Sequence, residues 1–226
     1  MKPLTVALGD DSVDWGRTGI RYGIYLVGLF CISLGTVLQT ESGLGVASLT
    51  CFATFAARAL GTSLGFMIAA TYAIYIAAQA LILRSKFQAR ILLEMVFAFS
   101  MGYLVDAIAA FVQVSPQGLL AQVVCMLAAL VVTAFGASLM VQMEVVPNAP
   151  DGLVQVIADA LGTAFGNVKV VFDVSHVSAA LVGSLLLFGD IKGFGPTTVV
   201  SALFLGRIIN VIMSTVGRRA VSIVWE

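Results

Sequence analysis

Charged residues make up only 11% of this chain, histidine occurs once and cysteine three times. A soluble domain carries roughly 25% charged and 45–50% apolar residues. Here 60% of the 226 residues are hydrophobic and the mean hydropathy is +1.04. One globular core cannot hide that much apolar surface, so a soluble fold is excluded and an integral membrane protein is expected. The 12 basic and 12 acidic residues cancel, and no basic cluster is large enough to follow a nucleic-acid backbone, which removes nucleic acid from the partners. Cys31, Cys51 and Cys125 lie inside apolar runs, with no CxxC pair and no histidine cluster. They read as small buried hydrophobes, and neither a metal nor a cofactor is expected. No Ser/His/Asp order, HExxH pair or phosphate loop is present, so no enzyme is expected. The segment 1–19, with Asp10, Asp11, Asp14 and Arg17, is too acidic for a signal peptide and reads as a cytoplasmic polar tail.

What the chain has in abundance is long apolar runs. A membrane-spanning helix needs about 20 mostly apolar residues. Six runs qualify, at 20–40, 64–83, 91–112, 119–142, 170–189 and 197–217, and two shorter segments remain at 46–60 and 150–162. With the N-terminus inside and neither short segment crossing, Arg17, Arg21, the Arg84–Arg90 loop, Lys169 and Arg218-Arg219 all fall inside, while the uncharged Val114–Gly118 loop falls outside. The excess of inside positive charge favours this topology. Arg58 and Lys192 are its exceptions.

The heptapeptide "ALGTSLG" at Ala59–Gly65 returns as "ALGTAFG" at Ala160–Gly166, an offset of 160 − 59 = 101 residues. The same offset carries Gly35 onto Gly136, and Thr50, Thr54 and Arg58 onto Asp151, Gln155 and Asp159. Each of these trios is spaced i, i+4, i+8, one polar stripe on a helix. The expected fold is therefore all-α, with two inverted-topology repeats. Each repeat has three transmembrane helices and one short re-entrant or interfacial helix. The first covers 20–112, an external loop 113–120, the second repeat 121–217, and a cytoplasmic tail 218–226. Three crossings per repeat is an odd number, so the second repeat must be inverted, the arrangement of many secondary transporters.

In a re-entrant arrangement the N-termini of the short helices point toward the bilayer midplane, where free N–H groups favour anionic ligand groups. Asn148 is the expected N-cap of the second short helix, with Pro150 in its first turn, and Ser48 that of the first. Ionisable residues within spans are costly and mark functional sites by default. Here they are Glu41, Glu94, Asp106, Glu144, Asp173, His176 and Arg207. Asp106 and Arg207, at 207 − 106 = 101, are offset mates of opposite sign that could pair as a lock or gate. Asp173 and His176 share one face opposite their mates Tyr72 and Tyr75, which could wall a site. The expected substrate-binding set is thus Glu41, Ser48, Thr50, Thr54, Tyr72, Tyr75, Asn148, Asp151, Gln155, Asp173 and His176. Glu94, Asp106 and Arg207 are expected to couple or gate, and Asp173 and His176 could also relay protons.

The stretches "GLGVASL" (Gly43–Leu49), "LLEMVFAFSMGYLVD" (Leu92–Asp106), "APDGLVQVIADALGTAFG" (Ala149–Gly166) and "KGFGPTTVVSALFLGRIIN" (Lys192–Asn210) resemble the bacterial YczE/YyaS/YitT-type membrane proteins. The resemblance covers most of the chain after Gly19. It implies a small multi-span protein of the bacterial cytoplasmic membrane with a transport role; the charge distribution places both termini on the cytoplasmic side. No substrate and no catalytic residue carry over. Where a Gly-Pro-Trp-Asp-like turn is expected before the first short helix, this chain has Gly45-Val46-Ala47-Ser48. An acid is therefore missing from the first helix start while Asp151 keeps one in the second, which makes a symmetric site chemically lopsided.

The function expected is secondary transport of a small polar or zwitterionic solute, aromatic and heterocyclic bodies included, bound between the repeats. Its partners would be that small-molecule solute, membrane lipid and, as a homodimer, a second copy of the chain. Rival readings are a substrate-binding subunit of an ATP-driven importer and a small-solute channel.

Overall fold

The computed structural model describes residues 15–84, 89–143, 145–191 and 193–215. The acidic N-terminal stretch, residues 85–88, Glu144, Lys192 and the segment from 216 onward lie outside the described residues. Eight α-helices occur among the described residues. They are α1 (Trp15–Glu41), α2 (Ser48–Leu60), α3 (Leu64–Leu83), α4 (Leu93–Phe111), α5 (Leu119–Met143), α6 (Ala149–Leu161), α7 (Phe165–Phe188) and α8 (Pro196–Thr215). Six of them, all but α2 and α6, are long and apolar enough to cross a membrane.

Local chemistry sets the corners. Gly61 and Gly162 end α2 and α6 with nearly the same left-handed backbone, φ 64° and 62°, ψ 33° in both. The following N–H groups close the same turn, Thr62 to Ala57 O and Thr163 to Ala158 O, each 3.0 Å. Only glycine adopts that conformation without a Cβ penalty, which is why the heptapeptide repeats at these two points. The starts of the short helices differ from expectation in one respect. The N-cap of α2 is Ala47, in extended backbone, and Ser48 is already helical. Asn148 does occupy the N-cap position of α6, but its side chain makes no capping hydrogen bond.

α2 spans Ser48–Leu60 and α6 spans Ala149–Leu161, so both ends are 101 residues apart, and so are the starts of α3 and α7 at Leu64 and Phe165. Packing follows the same rule. α1 lies along α5; α4 packs on α1 as α8 packs on α5; α2 packs on α7 as α6 packs on α3. Exchanging α1–α4 for α5–α8 returns the same set of neighbours with one exception: α3 packs along α4, whereas α7 and α8 hardly touch.

Small residues make the central crossing possible. In lipid no hydrophobic force drives helices together, so close backbone approach and van der Waals contact must. A Cβ on Gly28 would lie 2.8 Å from Gly136 O, and one on Gly35 would lie 3.0 Å from Ala129 O. These contacts are mates of one another, since 129 − 28 = 101 and 136 − 35 = 101.

The first turns of α2 lie beside the middle of α7. The Phe52 ring meets the His176 ring edge-on at 6.0 Å, and His176 stands eleven residues from one end of α7 and twelve from the other. The limb preceding α2 crosses the limb preceding α8. Val46 N–H donates to Gly193 O at 3.1 Å, Thr197 N–H to Leu44 O at 3.1 Å, and the Thr198 hydroxyl to Val46 O at 2.7 Å. Gly45 (φ 96°) and Gly195 approach so closely there that a Cβ on Gly45 would sit 2.6 Å from Gly195 N.

Candidate functional site

Where α3, α6 and α7 meet, apolar packing gives way to a cluster of ionisable and aromatic side chains. α3 contributes Tyr72 and Tyr75, the first turn of α6 contributes Asn148 and Asp151, and α7 contributes Lys169, Phe172, Asp173 and His176. The His176 ring has both nitrogens engaged: Nδ1 lies 2.7 Å from Phe172 O and Nε2 lies 2.5 Å from the Tyr75 hydroxyl. A carbonyl can only accept, so Nδ1 carries the proton. In the neutral ring Nε2 then accepts from Tyr75. Protonating Nε2 would turn the Tyr75 hydroxyl from donor to acceptor.

Lys169 joins two carboxylates unequally. Its ammonium donates to Asp151 Oδ1 at 2.9 Å and lies 3.3 Å from Asp173 Oδ1, one helical turn along α7. The second approach is an ion pair by distance without hydrogen-bond alignment, so Asp173 Oδ1 is buried with no hydrogen-bond donor, and so is Asn148 Oδ1. Rings close the walls: Phe172 stacks at 4.2 Å from His176 and 5.3 Å from Tyr75, and Phe52 covers the far edge.

Of the expected binding residues, Tyr72, Tyr75, Asn148, Asp151, Asp173 and His176 come together here. The others do not. Glu41 ends α1 near Cys125 of α5. Ser48 receives its contact through its backbone, N–H to Ser201 Oγ at 3.4 Å. Thr50 and Thr54 spend their hydroxyls on Ala47 O and Thr50 O within α2, and Gln155 bonds Asp159 on its own helix. Sequence reasoning missed Lys169 as a site residue. Its signal was a lysine four residues before Asp173 on an otherwise apolar helix, the i, i+4 spacing that lets side chains meet.

The coupling candidates also separate. Glu94 is only 2% exposed and accepts from Gln79 Nε2 at 2.8 Å; the same amide donates to Ala149 O at 3.3 Å. A Cβ on Gly152 would lie 3.0 and 3.1 Å from the two Glu94 oxygens, so this carboxylate is pressed against the start of α6. Asp106 and Arg207 do not pair. Asp106 accepts from the Ser63 hydroxyl at 2.6 Å and from Gly65 N–H at 2.8 Å, capping α3, while Arg207 is exposed and faces the Phe204 ring at 5.6 Å. Two local donors offered Asp106 a partner without bringing two distant helices together. Asp106→Ala is therefore expected to cost about 1–2 kcal/mol, and Arg207→Met less than about 0.5 kcal/mol, in thermal melts of the purified protein. Equal losses would restore the cross-repeat pair.

Two further features stand outside the cluster. Arg58, at the end of α2, holds Asp190 through two hydrogen bonds of 2.5 and 2.8 Å and lies 3.9 Å from the Phe188 ring. An outward groove of about 370 Å³ between α3 and α4, lined by Ala69, Phe99, Tyr103 and Asp106 among others, lies away from the cluster.

Taken together, the helices and the ionisable cluster define a multi-pass, all-helical membrane protein. Residues 19–214 match the model of DUF6198, described as a family of unknown function, and the chain belongs to that family. No curated protein and no solved structure matches it.

Proposed function

We propose that the chain is a secondary transporter of a small polar solute, built from two inverted repeats, with its substrate site at the α3–α6–α7 cluster. The observation that carries this reading is the Tyr75–His176 hydrogen bond. Its partners are offset mates, 176 − 75 = 101, each well inside an apolar helix, so the ionisable cluster sits on the axis that would relate the halves. The matched bounds of α2 and α6 and the exchanged packing partners support the repeat. Phe52 beside the middle of α7 supports a re-entrant α2 rather than one lying flat. The YczE/YyaS/YitT-type resemblance is in keeping with this reading, as is a bacterial cytoplasmic membrane with both termini inside. In that topology Arg58 is outside, where Asp190 neutralises it.

The one broken symmetry gives the reading its direction. In this topology the outer ends of α3 and α4 are closed by Gly65 against Gly102 and by the Asp106 cap, and the Arg58–Asp190 pair latches α2 to the end of α7. Their inner counterparts are slack: α7 and α8 stand apart, and Asp159, the mate of Arg58, bonds Gln155 on its own helix. We read this as an inward-facing state, with an outward-facing one as its alternate. His176, Asp173 and Glu94 are the groups available for proton coupling.

The test is solute flux in proteoliposomes with and without a proton gradient, together with single cysteines at Thr54 and Gln155 in a background lacking Cys31, Cys51 and Cys125. An impermeant thiol reagent should reach the two cysteines from opposite sides of the membrane. Labelling from the same side defeats the inverted repeat, and gradient-driven flux of no solute defeats the coupling.

A further inference from the structure

The α3–α6–α7 cluster also states what kind of charge it will accept, an assignment that rests on reading it as the substrate site. Helix N-termini at membrane depth ordinarily attract anions, but here those ends are already answered. Ahead of α2, Ala47 N–H donates to Gln39 Oε1 at 2.9 Å and Ser48 N–H to Ser201 Oγ at 3.4 Å. At α6, Asp151 stands in the first turn and the Glu94 carboxylate abuts Gly152. A ligand's carboxylate at the α6 start would meet two carboxylates already there.

The cluster holds two carboxylates to one lysine. Asp151 and Asp173 face a single cation, Lys169, and Lys169 bonds only Asp151 in proper alignment. The two His176 nitrogens are taken by Phe172 O and Tyr75. Asp173 Oδ1 and Asn148 Oδ1 are both acceptors buried without a donor. Phe52, Tyr75 and Phe172 wall the cluster, and an aromatic face attracts a cation and repels an anion. A bound anion would add negative charge beside acceptors that already lack partners.

We propose that the site recognises a protonated amine carried on an apolar or aromatic body. The ammonium donates to Asp173 and the body packs against Phe52 and Phe172. A further N–H or O–H of the ligand meets Asn148. The amine competes with Lys169 for Asp173 and leaves Lys169 on Asp151. Charge-assisted hydrogen bonds of this kind need N–H groups, so primary amines are preferred over quaternary ones.

Thermal melts of the full-length protein in detergent with phenethylamine, 2-phenylethanol or phenylacetate, at matched millimolar concentrations, test this, because a ligand of the native state raises the melting temperature. Phenethylamine should stabilise, and the alcohol and the acid should not. Asp173→Asn should weaken phenethylamine about tenfold or more, whereas Lys169→Met, which removes the competitor, should tighten it several-fold. If Asp173→Asn fails to fold, the sign of the Lys169→Met effect decides. Stabilisation by phenylacetate equal to that by phenethylamine, no stabilisation by phenethylamine, or weaker binding in Lys169→Met would each overturn the assignment. Phenethylamine that binds but never crosses proteoliposome membranes would defeat the transport reading and leave the amine site standing. Gradient-driven flux of an anion with no amine binding would do the reverse.

Discussion

Gly136→Val is expected to destabilise the protein by about 3 kcal/mol, the upper end of what overpacking a tight interior costs, and Gly35→Val by a similar amount. A Cβ on Gly136 would lie 2.5 Å from Gly28 O, 2.8 Å from Cys31 Cβ and 2.8 Å from Ile32 N. Two of those atoms are backbone of α1 and cannot swing aside, so the helices must part. On Gly35 a Cβ would run into the Thr133 hydroxyl and sit 3.0 Å from Ala129 O and Thr133 N. That hydroxyl is itself committed, donating to Ala129 O at 2.8 Å and accepting from Gln39 at 3.1 Å, so displacing it breaks two buried bonds. The α1–α5 crossing is the seam between the two halves, which makes the loss global. Gly166→Val and Gly206→Val provide the contrast, because a Cβ at either meets nothing within 4 Å. They should change stability by less than about 0.5 kcal/mol. Melting curves of the four variants check this. If the Gly35 and Gly136 variants melt no lower than those at Gly166 and Gly206, the crossing is not what holds the halves together.

The second large effect is expected at Gln79, a side chain only 1% exposed that ties three helices. One amide on α3 donates to Glu94 on α4 and to Ala149 O at the start of α6. Gln79→Met conserves shape and apolar packing but withdraws a donor from a buried carboxylate and from a buried carbonyl. Each loss costs about 1–3 kcal/mol, more for the charged group, so about 3 kcal/mol in total is expected. Glu94→Gln keeps an acceptor in place and should cost less. Because the pair acts as a unit, Gln79→Met combined with Glu94→Gln should destabilise by less than the sum of the single changes. Strict additivity in denaturation of the double variant would mean that the two side chains contribute independently, and that α6 is not anchored through them.

The candidate site was legible in the sequence wherever the signal was local or carried by the repeat offset. Tyr72, Tyr75, Asp173 and His176 could be grouped because helical spacing puts i, i+3 pairs on one face and the offset sets those faces opposite each other. Thr50, Thr54 and Gln155 matched the same pattern, yet they bond within their own helices, because a hydroxyl or amide on a helix can always reach its own backbone or next turn. Asp106 illustrates the same competition: Ser63 and Gly65 at the α2–α3 corner reach it before Arg207 can.

What the sequence determined by itself was the list of parts. Composition excluded a soluble core, run lengths counted six apolar helices, and the repeated heptapeptide set two short helices at one offset, because hydropathy and local motifs act over one or two turns. The tertiary structure decided who meets whom. That Lys169 divides itself between two acids, that Gln79 knots three helices, and that α3 packs on α4 while α7 stands off α8 depend on how helices far apart in sequence approach one another. That approach is set by the positions at which two backbones can touch. The heptapeptides at Ala59–Gly65 and Ala160–Gly166 share five of seven residues, but the tight contact at Gly65 is not repeated in the open space around Gly166. The motif by itself does not carry that difference, because Gly65 packs against Gly102 on another helix, and 101 residues on from Gly102 stands Leu203.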